Sequence, residues 1–297
     1  MDTSFGIQQK GKRNLITDVA GITVGHCTLA DGDVQTGVTA LLPHQGDLFH
    51  DRCPAAVHVI NGFGKSAGLV QVQELGYLET PLILTNTLSV GTAFTACVRY
   101  MLARNDQIGR AESTVNPVIL ECNDGYLNDI RGLHVTEDHV FAALDAADTT
   151  FALGAVGAGR GMSCYHLKGG IGSASRVFEI GGQTYTLGAL AMTNFGSLID
   201  LTIAGERIGK KLAAEPEDAK GSCIMVLATD APLSSRQLSR VARRAQSGLA
   251  RTGAVTEHGS GEIVLAFSTA NRIQAGHIFH SGGYLNDEAF RPIFRAA

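Results

Sequence analysis

ERIGKKLAAEPEDAK (Glu206–Lys220) runs without transition into GSCIMVLAT (Gly221–Thr229). The first stretch carries eight charged residues in fifteen, in a chain that is 18% charged overall. It reads as an exposed, solvated connection. From Cys223 the second stretch is a short apolar run ended by Pro232, which reads as a buried strand. A small hydroxyl residue, Ser222, therefore stands at the start of a buried strand, behind an exposed segment. That arrangement suggests an N-terminal nucleophile. If the Gly221–Ser222 bond breaks, Ser222 begins a new chain. Its free α-amine, with a pKa near ~7.7–8.0, is suited to take the hydroxyl proton. A glycine before it makes close approach easiest, since it has no Cβ. The residues alone leave a plainer reading open, in which Gly221-Ser222 simply ends a loop.

Working outward, Ser234 caps an amphipathic helix whose buried face is Leu238, Val241, Ala242, Ala245 and Leu249, with Gly253 just past its end. Arg236, Arg240, Arg243 and Arg244 lie on its other faces and read as a solvated or subunit-facing surface. Glu262–Ser268 is a further strand. Upstream, Leu15–Cys27 reads as a hairpin around Ala20-Gly21. Thr36–Leu42, Ala55–Ile60, Pro81–Thr85 and Val118–Cys122 read as strands, and Ser66–Leu75, Leu88–Ala103 and His139–Ala147 as helices. The glycine-rich Gly154–Gly172 reads as loop, and Ser175–Ile180 with Thr184–Thr193 as a hairpin over Gly181-Gly182. Strands and helices mix without strict βαβ alternation, so a layered α/β sandwich is expected rather than a Rossmann sheet.

The 297 residues allow one large domain or two small ones. A net charge of −4 argues against a nucleic-acid partner, and 44% hydrophobic content against disorder. No apolar run is long enough for a membrane span, and Met1–Arg13 lacks a signal-peptide core, so a cytoplasmic protein is expected. The six cysteines form no CxxC pair and no zinc spacing, and read as reduced thiols. Gly62-Phe63-Gly64-Lys65-Ser66 resembles the end of a phosphate loop, but Val59 stands where that pattern needs glycine. His258-Gly259-Ser260-Gly261 fails the nucleophile-elbow pattern at both flanks. His277 and His280 have HxxH spacing without a carboxylate pattern. No metal and no cofactor are expected.

Several segments are similar to a known family. They are NLITDVAGITVGHCT (Asn14–Thr28), VINGFGKSAGL (Val59–Leu69), ECNDGYLNDIRG (Glu121–Gly132) and KGGIGSASR (Lys168–Arg176). GALAMTNFG (Gly188–Gly196), GSCIMVLATDAPLSSRQLSRVARRA (Gly221–Ala245) and GSGEIVLAFSTAN (Gly259–Asn271) complete the set. On these the chain resembles the DmpA-type peptidases, the self-processing aminopeptidase and β-peptidyl aminopeptidase group. The resemblance implies a four-layer αββα sandwich, of the type shared with ornithine acetyltransferases, as one domain over 1–297. It implies cleavage between Gly221 and Ser222 into a 1–221 chain and a 222–297 chain, and a homo-oligomer, a tetramer. Small peptides or amino-acid amides would be the substrates.

Residue by residue, the resemblance implies Ser222 as nucleophile and Asn194 as an oxyanion-hole donor, since a side-chain amide can bind a developing negative oxygen. It implies Glu121 as the group that binds the substrate's ammonium. Ser260 and Glu262 would sit beside Ser222 and orient its amine. As alternate residues of one strand they share a face, so both can point into one pocket. Some relatives carry tyrosine two residues after the glutamate as an oxyanion donor; here Asn123 stands there and can still donate. Asn286–Ala297 resembles the start of a final helix that runs further in relatives. An acyltransferase of the ornithine-acetyltransferase type is the alternative enzyme, though those use threonine as nucleophile. A binding or scaffold protein that never cleaves is the alternative without chemistry.

Overall fold

The computed structural model describes residues 8–212, 221–278 and 282–297. Part of the charged segment Glu206–Lys220, residues 1–7 of Met1–Arg13 and His280 lie outside the described residues.

Two β-sheets stack face to face. The smaller has the order β1 (Thr23–Asp31), β2 (Val34–Leu42), β5 (Leu82–Asn86) and β6 (Val118–Cys122). The larger runs from β13 (Ile273–Gln274) through β3 (Asp51–Gly62), β12 (Ser260–Ser268), β11 (Gly221–Thr229) and β10 (Gln183–Asn194) to β9 (Gly170–Ile180). A two-residue strand β4 (Tyr77–Leu78) pairs with β3, and β7 (Ser163–Cys164) with β8 (Leu167–Lys168) makes a separate small ladder. The helices are α1 (Leu69–Leu75), α2 (Val90–Leu102), α3 (Glu137–Asp145), α4 (Gly209–Leu212), α5 (Ser235–Ala250) and α6 (Arg291–Ala296).

The period-2 alternation of the strands sorts side chains into three apolar layers. Leu82, Leu84, Val118, Leu120 and Cys122 of the small sheet meet Leu190, Met192, Ile224, Val226, Ile263 and Leu265 of the large one between the sheets. On the far side of the small sheet, Ala40, Ile83 and Ile119 pack on Ala93, Ala96 and Cys97 of α2 and Val140, Ala143 and Leu144 of α3. On the far side of the large sheet, Leu227, Val264 and Ala266 pack on Leu238, Val241, Ala242 and Ala245 of α5 and Ile293 of α6. The order helix, sheet, sheet, helix is the expected αββα sandwich.

The Ser234 hydroxyl caps α5 by accepting the Gln237 N–H at 3.3 Å. The hairpin β9–β10 turns at Gly181 and Gly182, both at positive φ, as a two-residue turn of this hand requires. Two expectations need correction. Leu15–Ile22 is not strand: the Asp18 carboxylate accepts the N–H groups of Arg13 and Leu15, and Ile16–Asp18 winds into a 3₁₀ turn. That turn buries Ile16, Val19 and Ile22, a period of three rather than two. The hairpin forms instead between β1 and β2. Nor is Gly154–Gly172 all loop: β7, β8 and the first residues of β9 lie within it. The arginines of α5 keep to its outer faces, with Arg236 and Arg243 exposed, and three of the four are also tied to the same chain. Arg236 and Arg240 pair with Asp287, and the Arg244 guanidinium lies 4.1 Å over the Phe294 ring, holding the chain's own final segment.

Candidate active site

Ser222 is the second residue of β11, between antiparallel β10 and parallel β12. Ile224 and Val226 face the inter-sheet core. By the same alternation the Ser222 side chain also faces the small sheet. It is 4% exposed. Its cross-strand partner on β10 is Asn194. The two sheets bring the end of β6 against it, and the Asn123 N–H donates to Ser222 Oγ at 3.3 Å.

Asn194 is held at both ends of its amide. Its Oδ1 accepts the Ser163 N–H at 2.9 Å, and its Nδ2 donates to the Asn123 carbonyl at 2.8 Å. An amide nitrogen carries two protons, so a second donor remains for a ligand. The main chain of Asn123, rather than its side chain, faces the serine. Its side-chain Oδ1 accepts the Gly125 N–H at 2.9 Å and closes a turn. The peptide N–H of Asn123, which the expectation did not consider, is thus a second donor beside Ser222, while its side chain also lines the cleft.

Glu121 is buried at 3% exposure at the end of β6. Its Oε1 accepts the Lys65 N–H at 2.7 Å, and its Oε2 accepts the Thr87 hydroxyl. Glu121, Asn123, Asn194 and Ser222 line one cleft of about 650 Å³, with Phe63, Tyr126 and Ile130 as an apolar wall. Lys65 was part of a quoted segment without a role, and Thr87 carried no signal at all; both matter through the end of a strand they happen to adjoin.

Ser260 and Glu262 do share a face, and the Ser260 hydroxyl donates to Glu262 Oε1. That face is not the one Ser222 uses. In the parallel ladder Ser260 is opposite Gly221, Gly261 opposite Ser222 and Glu262 opposite Cys223. Opposite residues point the same way, so the pair faces the outer side of the large sheet. A small cavity there is lined by Ser260, Glu262, Gly196 and Gly221. Gly221 and Gly196 also line the large cleft, so both stand between the two. Burial raises the Glu262 carboxyl above its ordinary pKa, with the Ser260 bond acting the other way, and its Oε2 is buried without a hydrogen-bond partner.

The cysteines nearest the site are not competing nucleophiles. Burial pushes Cys122 and Cys223 well above the ordinary thiol range, which keeps them protonated. Among the described residues, no group of three or more His, Cys, Asp or Glu side chains is placed to hold a metal ion. No helix of the described residues is long and apolar enough to cross a membrane.

Residues 14–297 match the model of peptidase family S58. The chain belongs to peptidase family S58. Among solved structures, the PH0078 protein from Pyrococcus horikoshii OT3 superposes with a TM-score of 0.96 at 51% identity, over 99% of this chain and 86% of that one. The L-aminopeptidase D-Ala-esterase/amidase of Ochrobactrum anthropi, described as a prototype serine aminopeptidase and a variant of the Ntn hydrolase fold, superposes with a TM-score of 0.91. It is 37% identical over 98% of this chain and 85% of that one. The β-peptidyl aminopeptidase BapA of Sphingosinicella microcystinivorans is 40% identical over 88% of this chain and 72% of its own. This family S58 chain thus has the Ntn hydrolase fold and falls in the aminopeptidase and amidase class of enzymes.

Proposed function

We propose that the chain is a self-activating N-terminal-nucleophile serine hydrolase that removes N-terminal residues from small peptides, amides or esters. The observation that carries this reading is the position of Gly221. It separates a cleft that holds a hydroxyl, a carboxylate and an amide from a cavity that holds a buried, half-partnered carboxylate. Loss of the Gly221–Ser222 bond opens one to the other.

In the precursor, Ser222 Oγ attacks the Gly221 carbonyl carbon. The C–N bond breaks, its nitrogen takes the hydroxyl proton, and the resulting ester is opened by water. Before cleavage the Ser222 nitrogen is an amide and no base; afterwards it is an amine. The new ammonium lies beside the Ser260–Glu262 pair and supplies the partner that Glu262 Oε2 lacks. In its neutral form the amine accepts the Ser222 hydroxyl proton when the oxygen attacks a substrate carbonyl. Asn194 Nδ2 and the Asn123 N–H stabilise the oxyanion, Glu121 holds the substrate's ammonium, and the leaving amine departs with the proton. Water then hydrolyses the acyl ester. The apolar wall of the cleft receives the side chain of the released residue.

Denaturing mass spectrometry tests the reading. The purified protein should give chains of 221 and 76 residues, and Ser222→Ala a single inactive chain of 31.2 kDa. A single intact chain with amidase activity overturns the mechanism. A short chain starting elsewhere misplaces the nucleophile.

A further inference from the structure

Asp124 follows Asn123 and is 0% exposed. It touches neither cavity, and nothing in the proposed chemistry uses it. Its Oδ2 accepts the Thr36 hydroxyl at 2.5 Å, and its Oδ1 accepts Asn128 Nδ2 at 3.0 Å. The hydrogen bonds continue outward in one direction. Asn86 Nδ2 donates to Thr36 Oγ1 at 2.9 Å, so the Thr36 proton is free to go to the carboxylate. Asn128 Oδ1 accepts the Gln35 N–H at 2.9 Å, and Asn86 Oδ1 the Ser89 N–H at 3.0 Å. Strands β2 and β5 and the turn after β6 thus converge on one buried carboxylate.

Both ends of this network reach the candidate site. Asn86 precedes Thr87, whose hydroxyl donates to Glu121. Asp124 follows Asn123, whose N–H reaches Ser222 and whose carbonyl accepts Asn194. A carboxylate suits the position because both its oxygens only accept. An amide there turns an NH₂ either toward Asn128 Nδ2, where two donors meet, or toward Thr36, whose hydroxyl proton then loses its acceptor. Burial raises the Asp124 pKa, while the bonds from Thr36, Asn128 and Asn86 oppose the rise.

We propose that Asp124 is a positioning residue for the hydrolytic reaction: with Thr36 and Asn128 it fixes the Asn123 peptide group against Ser222 and Asn194. The proposal rests on Ser222 as nucleophile. It acts on the reacting end of the cleft, so it governs kcat more than substrate affinity.

The test compares Asp124→Asn, Thr36→Val and Thr36→Ser in the full chain, by processing and by turnover of an amino-acid p-nitroanilide. Asp124→Asn should slow self-cleavage and lower kcat about 10–100-fold with KM within about twofold, the scale of a small misplacement of a reacting group. Thr36→Val should lower kcat less, and Thr36→Ser, which keeps the hydroxyl, should restore it. Should Asp124→Asn fail to fold, the Val and Ser pair decides. Folded variants with wild-type kcat, or a loss shared equally by Thr36→Ser, overturn the proposal. Ser222→Ala is the control. If it is inactive beside fully active Asp124→Asn and Thr36→Val, only the positioning role falls; if it is active, the nucleophile falls with it.

Discussion

Glu262 and Ser222 stand one register step apart on the β11–β12 ladder and on its opposite faces. The proposed nucleophilic hydroxyl and the half-partnered carboxylate are thus separated by the strand itself. Only the Ser222 nitrogen, in the strand backbone, can serve both sides.

This predicts a reversal in the effect of Glu262→Gln. Burial raises the Glu262 pKa in the folded, uncut chain. The folded state then holds the proton more tightly than the unfolded state. Stability from this group is full below the unfolded value and lost as pH rises through the folded one. In the uncut Ser222→Ala background, Glu262→Gln should leave Tm unchanged near about pH 4 and raise it near about pH 8. A gain of about 1 kcal/mol corresponds to about 2–4 °C in a chain of this order. In the processed enzyme as proposed, the new ammonium partners the carboxylate, so the same substitution should lower Tm and kcat. Scanning calorimetry of both backgrounds checks this, and an effect of the same sign in each removes the ammonium pair.

In the proposed mechanism Glu121 sets the requirement for a free amine. Its carboxylate is held by Lys65 N–H and Thr87 at the cleft wall and forms no ion pair among the described residues. A charge-assisted bond to a substrate ammonium is worth more than a neutral one. Glu121→Gln should cost about 10–100-fold in kcat/KM, the effect of ~1.5–3 kcal/mol. N-acetylated substrates should be poor with the wild type. Equal turnover of free and acetylated p-nitroanilides would remove this role.

Gly261 couples the ladder to the cleft. It is opposite Ser222, and a Cβ there would lie 2.7 Å from the Phe63 carbonyl oxygen and 3.3 Å from Gly64 Cα. Both are backbone and cannot rotate aside. Gly261→Ala should displace the Phe63–Lys65 loop and weaken the Lys65 N–H bond to Glu121. The expected result is a raised KM for free-amine substrates and a loss of about 1–3 kcal/mol in stability. Unchanged KM in a folded variant contradicts the coupling.

A layered α/β sandwich was legible because its strands are short apolar runs bounded by turn residues and α5 carries an apolar face from Leu238 to Leu249, whereas the four-layer order came from the resemblance. The same periodicity misled at Leu15–Ile22, where Asp18 captures backbone N–H groups five and three residues back and tightens the chain into a turn. Ser222, Asn194 and Glu121, singled out on the resemblance, do line one cleft. The facing of Ser260 and Glu262 was not legible, because it depends on parallel register between strands far apart in sequence. Nor was the Asp124 network, whose members come from three separate segments. Asn123 is the sharpest case: its identity draws attention to the side chain, whereas the contact to Ser222 is made by its peptide N–H, which no residue type signals.

His50 provides a pH-dependent contact in the folded chain. Its Nδ1 meets Asp47 Oδ2 at 2.6 Å and its Nε2 meets Glu112 Oε1 at 2.7 Å, tying the start of β3 to the loop after α2. Hydrogen bonds to Asp47 and Glu112 raise the His50 pKa, and Asp47 and Glu112 are lowered, with the His50 bond a cause in each. Both ring nitrogens donate only in the imidazolium. The stabilisation from His50 is therefore present below its unfolded pKa and lost as pH rises through the higher folded one. The carboxylates add theirs only above their own unfolded range. The window lies between the two, at about pH 5–6.5. The His50 side chain is 39% exposed, so solvent screens the pair and the effect is modest. His50→Gln should lower Tm most within that window and little above about pH 8.5, where one nitrogen of the neutral ring can no longer donate. Thermal melts at the two pH values decide it: a Tm loss that is the same at both shows ordinary packing and no ionic clamp.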